Sequence, residues 1–189
     1  MLDIAIDLDA AQVMTLEAYA DTIIPGERRG PQDRAVAGAA EGGGAVASGA
    51  VDLMVSVEGG LAGLLETLVD GLNDHAIGYA ARTGHHLDDG VPPFVALSFA
   101  DRTALTAELT APGHAEQDLW VSLAMFSVMA WDTGAADHTT NALAAGHPGL
   151  TQMGFGRPNP DGLWRFPEFS YRRVLAPLHP HTTPSGDPA

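Results

Sequence analysis

The alternation of apolar and polar positions divides the chain into helical stretches separated by long breaks. From Asp9 onward, Val13, Leu16, Ala20, Ile23 and Ile24 fall on one face at helical spacing, and Asp9 is placed to cap the first turn. Pro25-Gly26 ends this helix, because proline cannot continue the hydrogen-bond ladder and glycine accepts a left-handed cap. A second helix is predicted from about Ala45 to Val57. The third has the clearest stripe: Leu61, Leu64, Leu65, Leu68, Val69 and Leu72 follow the helical repeat, and the pattern runs to Thr83 and stops at Gly84. Ser98 is the predicted N-cap of a helix from Phe99 to Leu109, which Ala111-Pro112-Gly113 breaks. Residues 115–133 are apolar on nearly every side, which predicts a helix at the centre of a bundle. A short helix is predicted from Asp137 to Ala145.

The breaks have their own character. Leu2, Ile4, Ile6 and Leu8 alternate with Asp3, Asp7 and Asp9, the period of a strand or an extended arm. Residues 26–44 form a glycine-rich polar loop holding Arg28, Arg29 and Arg34. From Gly154 turn dipeptides mix with aromatic residues and arginines, as in an ordered segment that packs over a bundle or onto a partner. Residues 179–189 are proline-rich and are expected to be disordered. The predicted fold class is all-α: one helical-bundle domain over 1–178, with long loops and an irregular aromatic and arginine-rich C-terminal segment.

Composition narrows the chemistry. The 189 residues include no cysteine, which excludes disulfides, thiolate metal sites and cysteine nucleophiles. There is no lysine either, which excludes Schiff-base catalysis and a P-loop. Acidic residues number 24 against nine arginines, for a net charge of −15. Such a surface repels phosphate backbones and anionic lipid, so neither a nucleic-acid nor a membrane partner is expected. No apolar run reaches the roughly 18 residues of a transmembrane helix. The acidic N-terminus does not resemble a secretory or twin-arginine signal, and a cytoplasmic location is the corresponding expectation.

Few residue constellations suggest a reaction. No Glu is followed three residues later by His, so the di-iron bundle motif is absent. His85-His86 with Asp88 and Asp89 supply metal-ligand types, but paired histidines in an inter-helix loop read more simply as surface, and no metal is expected. Asp70 and Asp74 share a face opposite the leucine stripe, with His75 adjacent; a solvated acidic face explains them. Should the chain be an enzyme, the acid/base groups would be Asp74, His75 or His138, beside an apolar pocket lined by Trp120, Met125, Trp131 and Phe155. At the C-terminus Arg157, Trp164, Arg165, Phe166, Phe169, Tyr171, Arg172 and Arg173 combine the residue types enriched in protein–protein hot spots, and form the candidate partner-binding surface.

The stretch TLEAYADTIIPG resembles the family typified by gluconate 2-dehydrogenase subunit 3, in which a helix ends in a motif matched here by Asp21, Thr22, Ile23, Ile24 and Pro25. FVALSFADRTAL is similar to that family's phenylalanine-to-helix segment, with Asp101 and Arg102 as its acidic–arginine pair. The C-terminal GFGRPNPDGLWRFPEFSYRR resembles actinobacterial relatives of unknown function. The resemblance implies a helical accessory subunit that binds a larger, glucose–methanol–choline type oxidoreductase, with FAD in that partner and no cofactor in this chain. It carries over no catalytic residue. Relatives commonly bear a twin-arginine signal, and the lack of one here points to a cytoplasmic complex. The alternatives are a cofactor-free acid/base enzyme of specialised metabolism and a non-catalytic scaffold. Within the motif, Asp21 is expected to hold the following loop through Arg28 or Arg29.

Overall fold

The computed structural model describes residues 8–57 and 59–156. The chain divides into two compact units, Met1–Phe155 and Gly156–Ala189, and nearly all the described residues belong to the first. The predicted N-terminal arm, the boundary at residue 178 and the proline-rich tail lie outside the described residues. Among those described there are eight α-helices and no strand, so the fold is all-α as predicted.

Helix α1 (Ala10–Ile23) starts where the sequence places it. The Asp9 carboxylate accepts from the Gln12 amide at 2.8 Å, and the Gln12 side chain accepts from the Asp9 amide at 2.9 Å, a reciprocal capping box. Its buried face is rotated from the predicted one. Leu16, Ala18, Tyr19 and Ala20 are fully enclosed, whereas Val13, Ile23 and Ile24 are only partly covered. Tyr19 turns the helix: its ring lies between Phe94 and Trp120, and its hydroxyl donates to the Trp120 carbonyl at 2.7 Å. That bond satisfies the one polar group of a side chain otherwise wholly in the core.

Helix α2 (Ala50–Val55) is shorter than predicted, because Ala45 to Gly49 form a chain of turns. A 3-10 turn (Ala62–Leu64) leads into α3 (Leu65–Thr83). Leu65, Leu68, Val69 and Leu72 of the predicted stripe are buried, but the tighter turn leaves Leu64 49% exposed. Gly84 ends α3 with φ 74°, a left-handed cap that favours glycine. The short α4 (Pro93–Ala96) precedes α5 (Phe99–Leu109), which Ser98 caps at the Asp101 amide. Helix α6 (Gln117–Thr133) is followed by α7 (Thr139–Ala145) and α8 (Pro148–Gln152).

The centre of the bundle is α1, which packs against α2, α3, α4, α5 and α6. This corrects the expectation that residues 115–133 are central. Only Trp120, Leu123, Ser127 and Ala130 of α6 are buried, and the helix presents its other side to solvent. Trp120 and Leu123 anchor the inner face, and the small Ser127 and Ala130 let the C-terminal half of α6 lie close to its neighbours, while Met125 and Met129 point away. At its C-terminal end α8 passes with backbone in contact, since a Cβ on Gly149 would sit 2.0 Å from the Trp131 carbonyl oxygen.

Candidate functional site

The two segments that carry the family resemblance lie far apart in sequence but act on one loop. Asp21, 1% exposed at the end of α1, accepts from the Gly26 amide at 3.1 Å and the Ala37 amide at 2.8 Å. Burial pushes its carboxyl up, against the pull of those two amides and of Arg102. Arg102, 4% exposed on α5, donates to four backbone carbonyls: Ala35 at 2.6 Å, Val95 at 2.6 Å, Leu97 at 3.2 Å and Arg34 at 3.3 Å. Desolvation lowers its pKa to about 10, so it remains a cation at neutral pH. The loop over 26–44 is thus stapled at its middle by Arg102 and at two amides by Asp21. Its ends are also joined, with Glu27 donating to the Gly42 carbonyl at 2.7 Å and Ala45 to that of Ile24 at 3.0 Å.

The role expected for Asp21 is therefore met by different partners. Arg29 bridges Glu17 and Asp33 on the surface, and the Arg28 Nε donates to the Ala37 carbonyl at 3.2 Å; neither reaches Asp21. The remainder of the motif is structural too. The Thr22 hydroxyl donates back to the Ala18 carbonyl at 2.7 Å, and Ile23 and Ile24 pack on the core. Pro25 lies where two strands of chain touch, because a Cβ on Gly44 would fall 2.6 Å from its carbonyl carbon.

The candidate acid/base residues do not converge. His75 Nε2 lies 2.7 Å from Glu116 Oε2, which also accepts from the Trp120 indole N–H at 3.0 Å. His75 and these two donors and acceptors form a pair with an aromatic wall, and His114 stands edge-on at a ring distance of 6.0 Å. The bond to His75 and that to Trp120 hold the Glu116 carboxyl below its usual value. Asp74 is exposed and takes no part in this pair. His138 caps α7, its Nδ1 accepting from the Thr140 amide at 3.3 Å. The expected pocket is not formed: Trp120 is buried against Tyr19, Met125 is 48% exposed on the opposite side of α6, and Phe155 is 48% exposed. Trp131 is three turns beyond Trp120 and lies under Gly149.

His85 and Asp88 of the His85-His86 loop each pair with a residue outside it. His85 Nδ1 is 3.3 Å from Asp101, at an open cleft of about 330 Å³ that His86, Leu87 and Ser98 also line. Asp88 is 2.8 Å from Arg34. Among the described residues no three His, Asp or Glu side chains are grouped to hold a metal. The candidate partner-binding residues Arg157, Trp164, Arg165, Phe166, Phe169, Tyr171, Arg172 and Arg173 lie outside the described residues.

A surface that sequence reasoning missed is the outer face of α6. Val121, Met125 and Met129 are 38%, 48% and 39% exposed along it, with Val128 between them half-covered. Leu119, Met153 and Phe155 are further large apolar residues left in contact with solvent. Single exposed apolar residues are ordinary; Val121, Met125, Val128 and Met129 share one face over successive turns of a single helix. No helix among the described residues is long and apolar enough to cross a membrane.

The sequence family model described as a family of unknown function (DUF5987) matches residues 10–189. No curated protein and no solved structure matches the chain. The chain belongs to the DUF5987 family.

Proposed function

We propose that this member of the DUF5987 family is a non-catalytic helical subunit that binds and stabilises a larger flavin-dependent oxidoreductase. The observation that carries the reading is the outer face of α6, where Val121, Met125 and Met129 stand in solvent on a helix whose neighbours are otherwise tightly packed. Long methionine side chains adapt to a partner's contours at small cost. The flavin and the glucose–methanol–choline type of the partner come from the resemblance carried by Asp21 to Pro25 and by Asp101-Arg102. On this reading the Asp21 and Arg102 contacts give the subunit a fixed shape, FAD is held by the partner, and the complex acts on an alcohol, sugar-like or specialised-metabolite substrate in the cytoplasm.

The test is co-expression with a flavin-dependent oxidoreductase encoded beside it, followed by size exclusion. The expected result is one peak holding both chains and the flavin absorbance. Substrate turnover by this chain alone would sink the proposal.

A second reading, an acid/base enzyme, draws on the His75–Glu116 pair and its Trp120 wall. In it the carboxylate orients the imidazole, leaving the other ring nitrogen as the base. Loss of an activity of the isolated chain in His75→Ala would favour this reading; its persistence would exclude it.

A further inference from the structure

We infer that the outer face of α6 receives a partner element with an apolar centre and basic flanks. The inference rests on the subunit reading above and specifies the chemistry of what docks. Viewed along the helix, the apolar centre formed by Val121, Met125, Val128 and Met129 is bracketed on the same face by Asp118 toward one end and Asp132 toward the other. These are the only charged residues of α6, and the helix carries no basic residue.

Asp132 is the more informative of the two. It sits in the last turn, where the helix dipole is negative and a carboxylate is disfavoured. Its Oδ1 is shielded from solvent and has no hydrogen-bond donor among the described residues. A carboxylate oxygen removed from water without a donor is costly, and a cation docked beside Asp132 would offset part of that cost through charge attraction.

The described part of the chain has no cation free for this role. Arg29 is held by Glu17 and Asp33, Arg34 by Asp88, Arg82 by Glu108, and Arg102 by four buried carbonyls. Arg28 lies along Gly38 with its Nε on the Ala37 carbonyl. With a net charge of −15, a second copy meeting this face would bring carboxylates to carboxylates. Charge complementarity therefore selects a partner with lysine or arginine at both ends of an apolar strip. An amphipathic helix seated in this way places its basic residues on Asp118 and Asp132 and its apolar face on Met125.

The full-length chain can be titrated, at moderate salt, with two labelled amphipathic helical peptides: one of leucine and lysine, the other of leucine and glutamate. The leucine–lysine peptide is expected to bind and the leucine–glutamate peptide not. Met125→Glu with Met129→Glu should weaken the lysine peptide at least roughly tenfold. Asp118→Lys with Asp132→Lys should reverse the preference between the two peptides. Asp70→Lys with Asp74→Lys, on the exposed side of α3 rather than on α6, serves as the control and should leave the affinity within about twofold. Helical circular dichroism establishes that each variant is folded. Equal weakening by the α3 control would reduce the effect to general attraction by an acidic protein and overturn the inference. So would failure of the lysine peptide to bind, or concentration-dependent self-association lost in the methionine variant. If peptide selectivity holds but no flavoprotein co-purifies, the flavin reading fails and the docking chemistry stands.

Discussion

Arg102 provides the sharpest test of how this fold is held together. Its guanidinium joins backbone from residues 34–35 to backbone from 95–97, and two of its four bonds are 2.6 Å long. Hydrogen bonds to a charged donor contribute about 1.5–3 kcal/mol each, but the buried cation gives much of that back as lost solvation. Replacing it by methionine fills similar space, discharges the site and leaves the Ala35 and Val95 carbonyls without their donor. At about 1–3 kcal/mol for each unsatisfied group, the net loss is about 2–5 kcal/mol. Arg102→Lys keeps the charge but offers a point donor in place of a planar fork, so it should recover no more than about half of that loss. Urea unfolding followed by circular dichroism measures all three proteins. A midpoint for Arg102→Met within about 0.5 kcal/mol of the parent would refute the argument, as would full recovery by lysine.

The other predictions use different parts of the molecule. Burial pushes the Asp33 carboxyl up, but donors from Arg29 and Val36 outweigh it and hold it at about 2; a carboxylate depressed on folding contributes stability above its unfolded pKa. About 1–2 kcal/mol should therefore disappear as pH falls from about 4 to about 2, and denaturation of Asp33→Asn should lack that step. Gly149→Ala puts a Cβ 2.0 Å from the Trp131 carbonyl oxygen, so α8 must move off α6; the melting temperature should fall by several degrees. Leu72→Ala opens a cavity at a fully buried site of α3 and should cost about 2–5 kcal/mol in the same unfolding assay. His75→Phe removes a surface pair and should change stability by less than about 1 kcal/mol, while raising the Glu116 carboxyl pKa as followed by NMR.

Where the structure could be read from sequence, local signals sufficed. Asp9 and Ser98 start α1 and α5, and Gly84 stops α3, because caps act within a few residues of themselves. Periodicity placed Leu65, Leu68, Val69 and Leu72 correctly on a buried stripe. It failed for α6, since a helix apolar on every side carries no signal for which side faces in. Burial of Trp120 and Leu123 beside the small Ser127 and Ala130 decides that, and only in the presence of neighbouring helices. The loop over 26–44 reads as polar and free, yet it is anchored by a residue 67 positions away, a pairing no local pattern contains. Asp21 was legible as part of a motif, but its partners are backbone amides, which have no sequence signature. The acid/base grouping differs for a related reason: spacing put His75 beside Asp74, whereas folding put it beside Glu116.

The central claim is that the outer face of α6 joins this chain to a flavoprotein. The direct measurement is size exclusion of the parent and of Met125→Glu with Met129→Glu, each co-expressed with a flavin-dependent oxidoreductase encoded alongside. The account predicts co-elution of flavin absorbance with the parent and its separation from the folded variant. Co-elution unchanged in the variant, or no complex with the parent, would contradict it.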